Sequence, residues 1–299
     1  MKPPPRPKVL VVGVDGVRPD RLLAARVPHF RRLMEAGTFA TGYLKVLKTG
    51  YLRLLKNGRR KVMKSVRSSS GPGWTTVLTG VGPDKHGVHN NSFKGSKFKK
   101  YPDFLTRLER IRPSLNTAAV TSWRLLPKTG AVGPRVDLRT TSRDRRYGAG
   151  VKDDLVVGRM SDLLRTTQID VGFVHLDSTD AVAHRKGALG RDYLRAIELM
   201  DSRLGRLFDA IRARPIFPAE KWTIIIVTDH GHRDEGGHGG ESLKERGIFL
   251  LAAGPGIARG VRRRDARQVD VAATVFAQLG IPLPKGLDGK PIGTAAPEK

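Results

Sequence analysis

Short apolar runs that break off at an acidic residue limit the fold of this chain more than any other feature. Lys8 to Val14 (KVLVVGV) runs into Asp15, Val171 to Leu176 (VGFVHL) into Asp177, and Trp222 to Thr228 (WTIIIVT) into Asp229 and His230. Runs of this length, nearly all apolar and rich in β-branched residues, read as strands buried on both faces. Asn116 to Thr121 and Ile248 to Ala253 read the same way. Between them the spacing predicts helices. Pro28 to Ala36 has Pro at an early position and Gly37 just past its end, and Gly71 to Thr79 has Pro72 near its start and Gly80 after it. Further helices are expected over Asp153 to Thr167, over Val269 to Leu279, and over Arg191 to Ala213, where Leu194, Ile197, Met200, Leu204, Leu207 and Ile211 recur at helical intervals. Such alternation predicts an α/β fold, a mostly parallel central sheet with helices on both faces. Ligands of these sheets sit beyond the carboxyl ends of the strands, where the acids stand.

A chain of 299 residues is long enough for a sizeable core, and one domain over 1–299 is expected. Two stretches interrupt the alternation. Residues 43–67 (YLKVLKTGYLRLLKNGRRKVMKSVR) carry nine basic residues and no acid, and read as a basic insertion. It is either a solvated excursion or a flap that gathers polyanions. Residues 125–150 read as a loop or small excursion. Lys and Arg number 55 against 28 Asp and Glu, a net charge of +27, which suits anionic partners: a small phosphorylated substrate, anionic lipid or nucleic acid. No cysteine is present, which excludes disulfides, thiolate ligands and a cysteine nucleophile. The run VLVVGV is too short for a secretory leader, and no apolar stretch approaches the ~20 residues of a membrane span. A cytoplasmic location is the expectation.

The polar residues that follow these strands or open a helix are Asp15, the triplet Ser68, Ser69 and Ser70, then Asp177, Asp180 and His184, and finally Asp229, His230 and His238. Each has a plain reading alone. Asp15-Gly16 makes a turn, Asp180 and His184 make an i,i+4 surface pair, and His238 between glycines makes a solvated loop. Their joint occurrence at strand ends points instead to chemistry. Carboxylates, imidazoles and one hydroxyl suit two divalent ions of the zinc type. A pair of such ions can clamp both oxygens of an in-line phosphoryl displacement, and a serine at a helix N-terminus is well placed to attack.

In this order the motifs VVGVDG, SGPGWTTVLTGVGPDKHGVHNN, HLDSTDAVAHRKG, VTDHGH, GGHGGES and VDVAATVFAQLGIPLPKGLDGKPI resemble the alkaline phosphatase superfamily, most closely its nucleotide pyrophosphatase/phosphodiesterase branch. The resemblance covers nearly the whole chain and implies an alkaline phosphatase-like fold. It also implies a metal-dependent hydrolase of phosphate esters, diesters ahead of monoesters, working through a phosphoseryl intermediate. Carried over by position, Asp15, Ser70, Asp229 and His230 hold one ion, with Ser70 as nucleophile, and Asp180, His184 and His238 hold the other. Zinc is the expected metal and manganese the alternative. Ser68, Ser69, Thr75 and Thr76 are competing hydroxyls. Asp177, His86 and His232 are expected to be structural or to support the ligands from outside.

The chain also departs from the branch. Ser70-Gly71-Pro72-Gly73 stands where the branch has Thr-Phe-Pro-Asn, so an amide that binds a phosphoryl oxygen is lost, and Asn90, Asn91 or backbone N–H groups are the candidate replacements. Trp74 occupies the place of the sulfatase arginine. A sulfate-ester or phosphonate hydrolase on the same scaffold is the rival enzyme reading. An inactive hydrolase fold that binds nucleic acid is the rival from charge.

Overall fold

The computed structural model describes residues 5–45, 52–54, 60–62, 67–141 and 148–293. In chain order these form β1 (Arg6–Val14), α1 (Pro19–Ala24), α2 (Pro28–Ala36), β2 (Gly37–Tyr43), β3 (Leu52–Leu54), β4 (Arg60–Val62), α3 (Ser70–Thr79), α4 (Pro83–His86) and α5 (Phe104–Ile111). There follow β5 (Thr117–Thr121), α6 (Leu125–Thr129), β6 (Leu138–Thr141), α7 (Ala149–Thr166), β7 (Val171–Leu176), α8 (Ser178–Lys186), α9 (Arg191–Arg212) and β8 (Glu220–Val227). The last elements are α10 (Leu243–Arg246), β9 (Gly247–Ala253), β10 (Val261–Arg263) and α11 (Asp270–Gln278).

Eight strands form one sheet in the order β10-β2-β9-β8-β1-β7-β5-β6. β1 lies near its centre and is paired in parallel on both sides, to β8 and to β7. This position explains its unbroken apolar sequence, because successive side chains point to opposite faces and both faces are covered. Leu10, Val12 and Val14 enter a core built with residues of α2, α7 and α9, while Val9 and Val11 enter a second core with residues of α3, α5 and α11. α9 turns one apolar side to the sheet through Tyr193, Ile197, Met200, Leu204 and Leu207, all buried.

The sheet is mostly parallel, as expected, with one reversal. β9 runs antiparallel to β8 and to β2. A parallel return needs a crossover connection of a dozen or more residues to carry the chain back to the starting edge. The segment 228–242 instead stays at the carboxyl end of β8, and the four-residue α10 leads straight into β9, so β9 must run back down. Gly37 does end α2, but it also opens β2, a strand whose small and polar residues (GTFATGY) gave no apolar run to read. The stretch 125–150 is more than a loop: α6, the edge strand β6 and the first residues of α7 lie within it. Of the basic stretch 43–67, Leu52–Leu54 and Arg60–Val62 pair as a separate antiparallel ribbon, and most of the remainder lies outside the described residues. No helix among the described residues is long and apolar enough to cross a membrane.

Candidate active site

Sheet order decides which loops meet. β8, β1 and β7 are neighbours, and their pairing aligns Gly13 with Val227 and Val14 with Leu176, so the three strands end level. Asp15 is the residue after β1, Asp229 lies two beyond β8, and β7 passes directly into α8, which carries Asp180 and His184 one turn apart. Asp153 fixes the start of α8: its carboxylate accepts from the backbone N–H groups of Asp177 and Ser178, both at 2.9 Å, and from Ser122 Oγ at 2.5 Å. α3 brings in Ser70 as its first residue. Gly73 permits the approach, because a Cβ there would stand 2.8 Å from Asp229 Cβ.

Asp15, Asp229 and His230 offer ligand atoms that all lie within 4.8 Å of one another, and every one is buried. Ser70 Oγ lies 3.2 Å from His230 Nε2 and 3.5 Å from Asp15 Oδ1. His230 Nδ1 is 3.0 Å from the carbonyl of Gly231, an oxygen that only accepts, so Nδ1 carries the proton and Nε2 presents a lone pair. That lone pair faces Asp229 Oδ2 at 3.3 Å and Asp15 Oδ1 at 3.4 Å. Asp229 Oδ2 is buried with no hydrogen-bond partner among the described residues, although Oδ1 accepts from Gly16 N–H at 3.2 Å.

Asp180, His184 and His238 converge beside this group. His184 Nε2 is 3.0 Å from His238 Nε2 and 3.5 Å from Asp180 Oδ2, and His238 Nε2 is 3.5 Å from Asp180 Oδ1. His238 donates from Nδ1 to the Ser68 carbonyl at 2.6 Å, which again leaves Nε2 as a lone pair turned inward. The rings of His230 and His238 stack with centroids 3.8 Å apart, so the two groups are contiguous. His184 is 46% exposed and marks the mouth of the site.

Buried lone pairs and carboxylate oxygens pointed at one another repel unless a cation lies between them. The ionisable groups of the chain show this strain. Burial, then the charges of Asp15 and Asp180, pushes the Asp229 carboxyl well above its usual range. Burial, then Asp15 and Asp180 among others, pushes Asp177 up to about 7. Burial, then the neighbouring His238, depresses His230 to about 3, so a proton on this ring does not relieve the crowding. Burial also opposes the ionisation of Asp15, but hydrogen bonding to His175 and to the Trp74 indole outweighs it and holds this carboxyl below its ordinary value. The donor set is the nitrogen and oxygen set that divalent ions of the zinc type accept.

The competing hydroxyls are engaged elsewhere. Ser68 Oγ donates to the Gly240 carbonyl and accepts from Gly239 N–H, and Ser69 Oγ donates to Asn91. Thr75 and Thr76 bond back to the carbonyls of Gly71 and Pro72 within α3. Asn91 Oδ1 accepts from Gly71 N–H at 2.7 Å, which sets its amide beside Ser70, whereas Asn90 is turned into its own loop by Ser92. Asp234 pairs with Arg18 and Lys244, and the exposed Glu235 with Arg233, so neither joins the cluster.

Three residues in the site had no role read from the sequence, or only a vague one. Trp74 donates its indole N–H to Asp15 Oδ2 at 2.8 Å. His175 lies against the same oxygen at 3.2 Å, and His232 lies 2.9 Å from Asp180 Oδ1. The usable signal for His175 was one titratable residue inside the apolar run VGFVHL, which requires a buried partner. His86 is structural: it is buried, with Nδ1 accepting from Val88 N–H at 3.0 Å and Nε2 facing Thr76 Oγ1 at 3.1 Å.

Two predictions arise here. Burial, then the charge of His89, holds the His86 ring down to about 3 against an ordinary 6.5. Between these values the unfolded chain takes up a proton that the folded chain refuses, so this group's contribution is intact above pH 6.5 and is lost as pH falls toward 3. The loss is at most ~1.4 kcal/mol per pH unit. Denaturation of His86→Gln across this range is expected to show a shallower decline than wild type, and parallel curves would refute the assignment. Gly16 has φ +65°, and a Cβ there would meet His232 Nε2 at 2.6 Å and Asp180 Oδ1 at 2.9 Å. Gly16→Ala is expected to cost about 2 kcal/mol in equilibrium denaturation, and a cost near zero would mean that the turn rearranges freely.

A mostly parallel sheet with acids and histidines gathered at its carboxyl edge is the phosphoester hydrolase scaffold of the alkaline phosphatase superfamily. Within it, the chain belongs to the type I phosphodiesterase/nucleotide pyrophosphatase family, whose model matches residues 9–278. GPI ethanolamine phosphate transferase 1 of Schizosaccharomyces pombe is 27% identical over 92% of this chain, yet the match covers 32% of that protein, so the chain spans about a third of the length of this relative. Among solved structures, murine ectonucleotide pyrophosphatase/phosphodiesterase 5 in complex with AMP superposes with a TM-score of 0.65 at 15% identity, over 93% of this chain and 96% of that one. BT1596, a 2-O GAG sulfatase, superposes with a TM-score of 0.68 at 11% identity, over 96% and 73%. At these identities the structures speak for the fold alone.

Proposed function

We propose that this protein cleaves phosphate esters, diesters ahead of monoesters, with Ser70 as nucleophile and two divalent ions as cofactors. The observation that carries the reading is the placement of Ser70 Oγ, 3.2 Å from the bare Nε2 of His230 and 3.5 Å from Asp15 Oδ1, at the first residue of a buried helix. Asp15, Ser70, Asp229 and His230 would hold one ion, and Asp180, His184 and His238 the other. Zinc suits this mixture of imidazole and carboxylate, and manganese is the alternative. When bound, the ions supply charge that favours ionisation of the serine and neutralises the phosphoryl oxygens.

The remaining steps belong to the chain. The Ser70 hydroxyl proton passes to water, and Oγ bonds to phosphorus as the bond to the ester oxygen breaks; that oxygen leaves with the electron pair and takes a proton from water. Asn91 turns its amide toward the entering phosphoryl group and takes over from the lost amide of the Thr-Phe-Pro-Asn motif. Gly71 N–H, now held by Asn91 Oδ1, is a second donor that an oxyanion can claim. Water then cleaves the phosphoseryl ester and restores Ser70.

The likeness to ethanolamine phosphate transferases favours a second reading, in which an alcohol takes the place of that water. Steady-state rates on bis(p-nitrophenyl) phosphate, p-nitrophenyl phosphate and p-nitrophenyl sulfate test the first reading. The diester is expected to turn over fastest, and fastest turnover of the sulfate would place the chain with the sulfatases. Adding an alcohol acceptor tests the second, since with bis(p-nitrophenyl) phosphate a transferase releases alkyl p-nitrophenyl phosphate at the expense of p-nitrophenyl phosphate.

A further inference from the structure

Two histidines outside the seven proposed ligands each back one of the carboxylates. His175 Nε2 lies 3.2 Å from Asp15 Oδ2, and His232 Nε2 lies 2.9 Å from Asp180 Oδ1. Both rings are fully buried, and the Nδ1 atom of each has no hydrogen-bond partner among the described residues. They come from different elements, His175 from the penultimate position of β7 and His232 from the segment after β8.

An ionised carboxylate oxygen cannot donate, so each ring carries a proton on Nε2 and gives it to the acid. The result in both cases is an aspartate with one oxygen taken from behind and the other turned to the reactive groups. Asp15 Oδ2 is held by His175 and by the Trp74 indole, while Oδ1 faces Ser70 and His230. Asp180 Oδ1 is held by His232, with His238 farther away at 3.5 Å, while Oδ2 faces His184. Burying an imidazole with one nitrogen unpaired is unfavourable, and an apolar side chain would fill either space without that cost. The hydrogen bond is what the apolar side chain would lack.

We propose that His175 and His232 are positioning residues, each fixing one aspartate so that a single oxygen is presented to an ion, His175 on the Ser70 side and His232 on the His184 side. The inference rests on the two-ion reading above. Outer hydrogen bonds of this type orient a ligand and raise its effective basicity, and their loss typically weakens metal binding 10- to 100-fold. His175 also lies with Asp15 and Asp177 in a group close enough to hold an ion itself, which is the competing role.

The test is zinc bound per full-length chain, measured across a series of free-zinc buffers for wild type, His175→Ala, His175→Gln, His232→Ala and His232→Gln. Each Ala variant is expected to bind one of two ions roughly 10- to 100-fold more weakly and the other unchanged. The Gln variants keep an N–H donor and are expected to recover most of the loss. A residue that merely filled space would weaken both ions alike and would not be rescued by Gln. Pairing with His238→Ala identifies the ion. His232→Ala adds little to the loss in His238→Ala because both act on the same ion, whereas His175→Ala removes the second. Two ions held at wild-type affinity in both Ala variants would overturn the proposal. So would a third ion in wild type that His175→Ala sheds. Fewer than two ions in wild type would instead sink the two-ion reading.

Discussion

Ser70→Ala is expected to lower turnover of bis(p-nitrophenyl) phosphate by roughly 10³-fold or more while leaving the fold intact. The effect is large because the other hydroxyls near Ser70 among the described residues are engaged elsewhere. Ser68 is tied to the backbone of Gly239 and Gly240, Ser69 is tied to Asn91, and Thr75 and Thr76 are bonded into their own helix. Ser70→Thr keeps the oxygen and is expected to retain part of the rate. Trapping a phosphorylated chain in wild type, and none in Ser70→Ala, would identify the acceptor directly. A variant that stays within tenfold of wild type would remove Ser70 from the chemistry. A wild type with no turnover, whose salt-sensitive nucleic-acid binding Ser70→Ala leaves unaltered, would instead favour the reading drawn from the +27 charge.

The candidate cluster was legible in the sequence because its residues sit where strong local signals end. Asp15 and Asp229 close the apolar runs of β1 and β8, and Asp180 and His184 have the i,i+4 spacing that α8 realises. The parallel core was equally readable, since strands buried on both faces leave unbroken apolar runs. β2 and β10 were missed for the opposite reason: they lie toward one edge of the sheet, are short or rich in small polar residues, and take their strand character from partners far away in sequence. Tertiary pairing outweighs local propensity there. Of the supporting histidines, His175 was not read at all, and His232 was expected only to be structural or to support the ligands from outside. His232 stands between His230 and Asp234 in an obviously polar motif, and nothing local distinguishes a ring that backs Asp180 from one that faces solvent. Trp74 was read only as a departure from a sulfatase pattern, and nothing local showed that its indole N–H serves Asp15.

Exhaustive chelation is expected to abolish activity and to lower the melting temperature on the order of 10 °C, with both restored by added zinc. The activity loss follows from the proposed roles. The thermal loss follows from what the ions would neutralise. Asp15, Asp229 and His230 are buried with their ligand atoms within 4.8 Å of one another, and the bare nitrogen of His230 faces two carboxylate oxygens. A ligand present at a thousand times its dissociation constant adds about 4 kcal/mol to the folded state, and in a domain of this size each kilocalorie moves the melting point by about 2–4 °C. Burial, then the charges of Asp15 and Asp180, pushes the Asp229 carboxyl upward, the direction expected of an acid that a cation would otherwise stabilise. Manganese is expected to restore less of the melting temperature than zinc, because imidazole-rich sites bind zinc more tightly. Activity and melting point unchanged after chelation would mean that protonated carboxylates alone hold this edge together, and Ser70 would then need another source of activation.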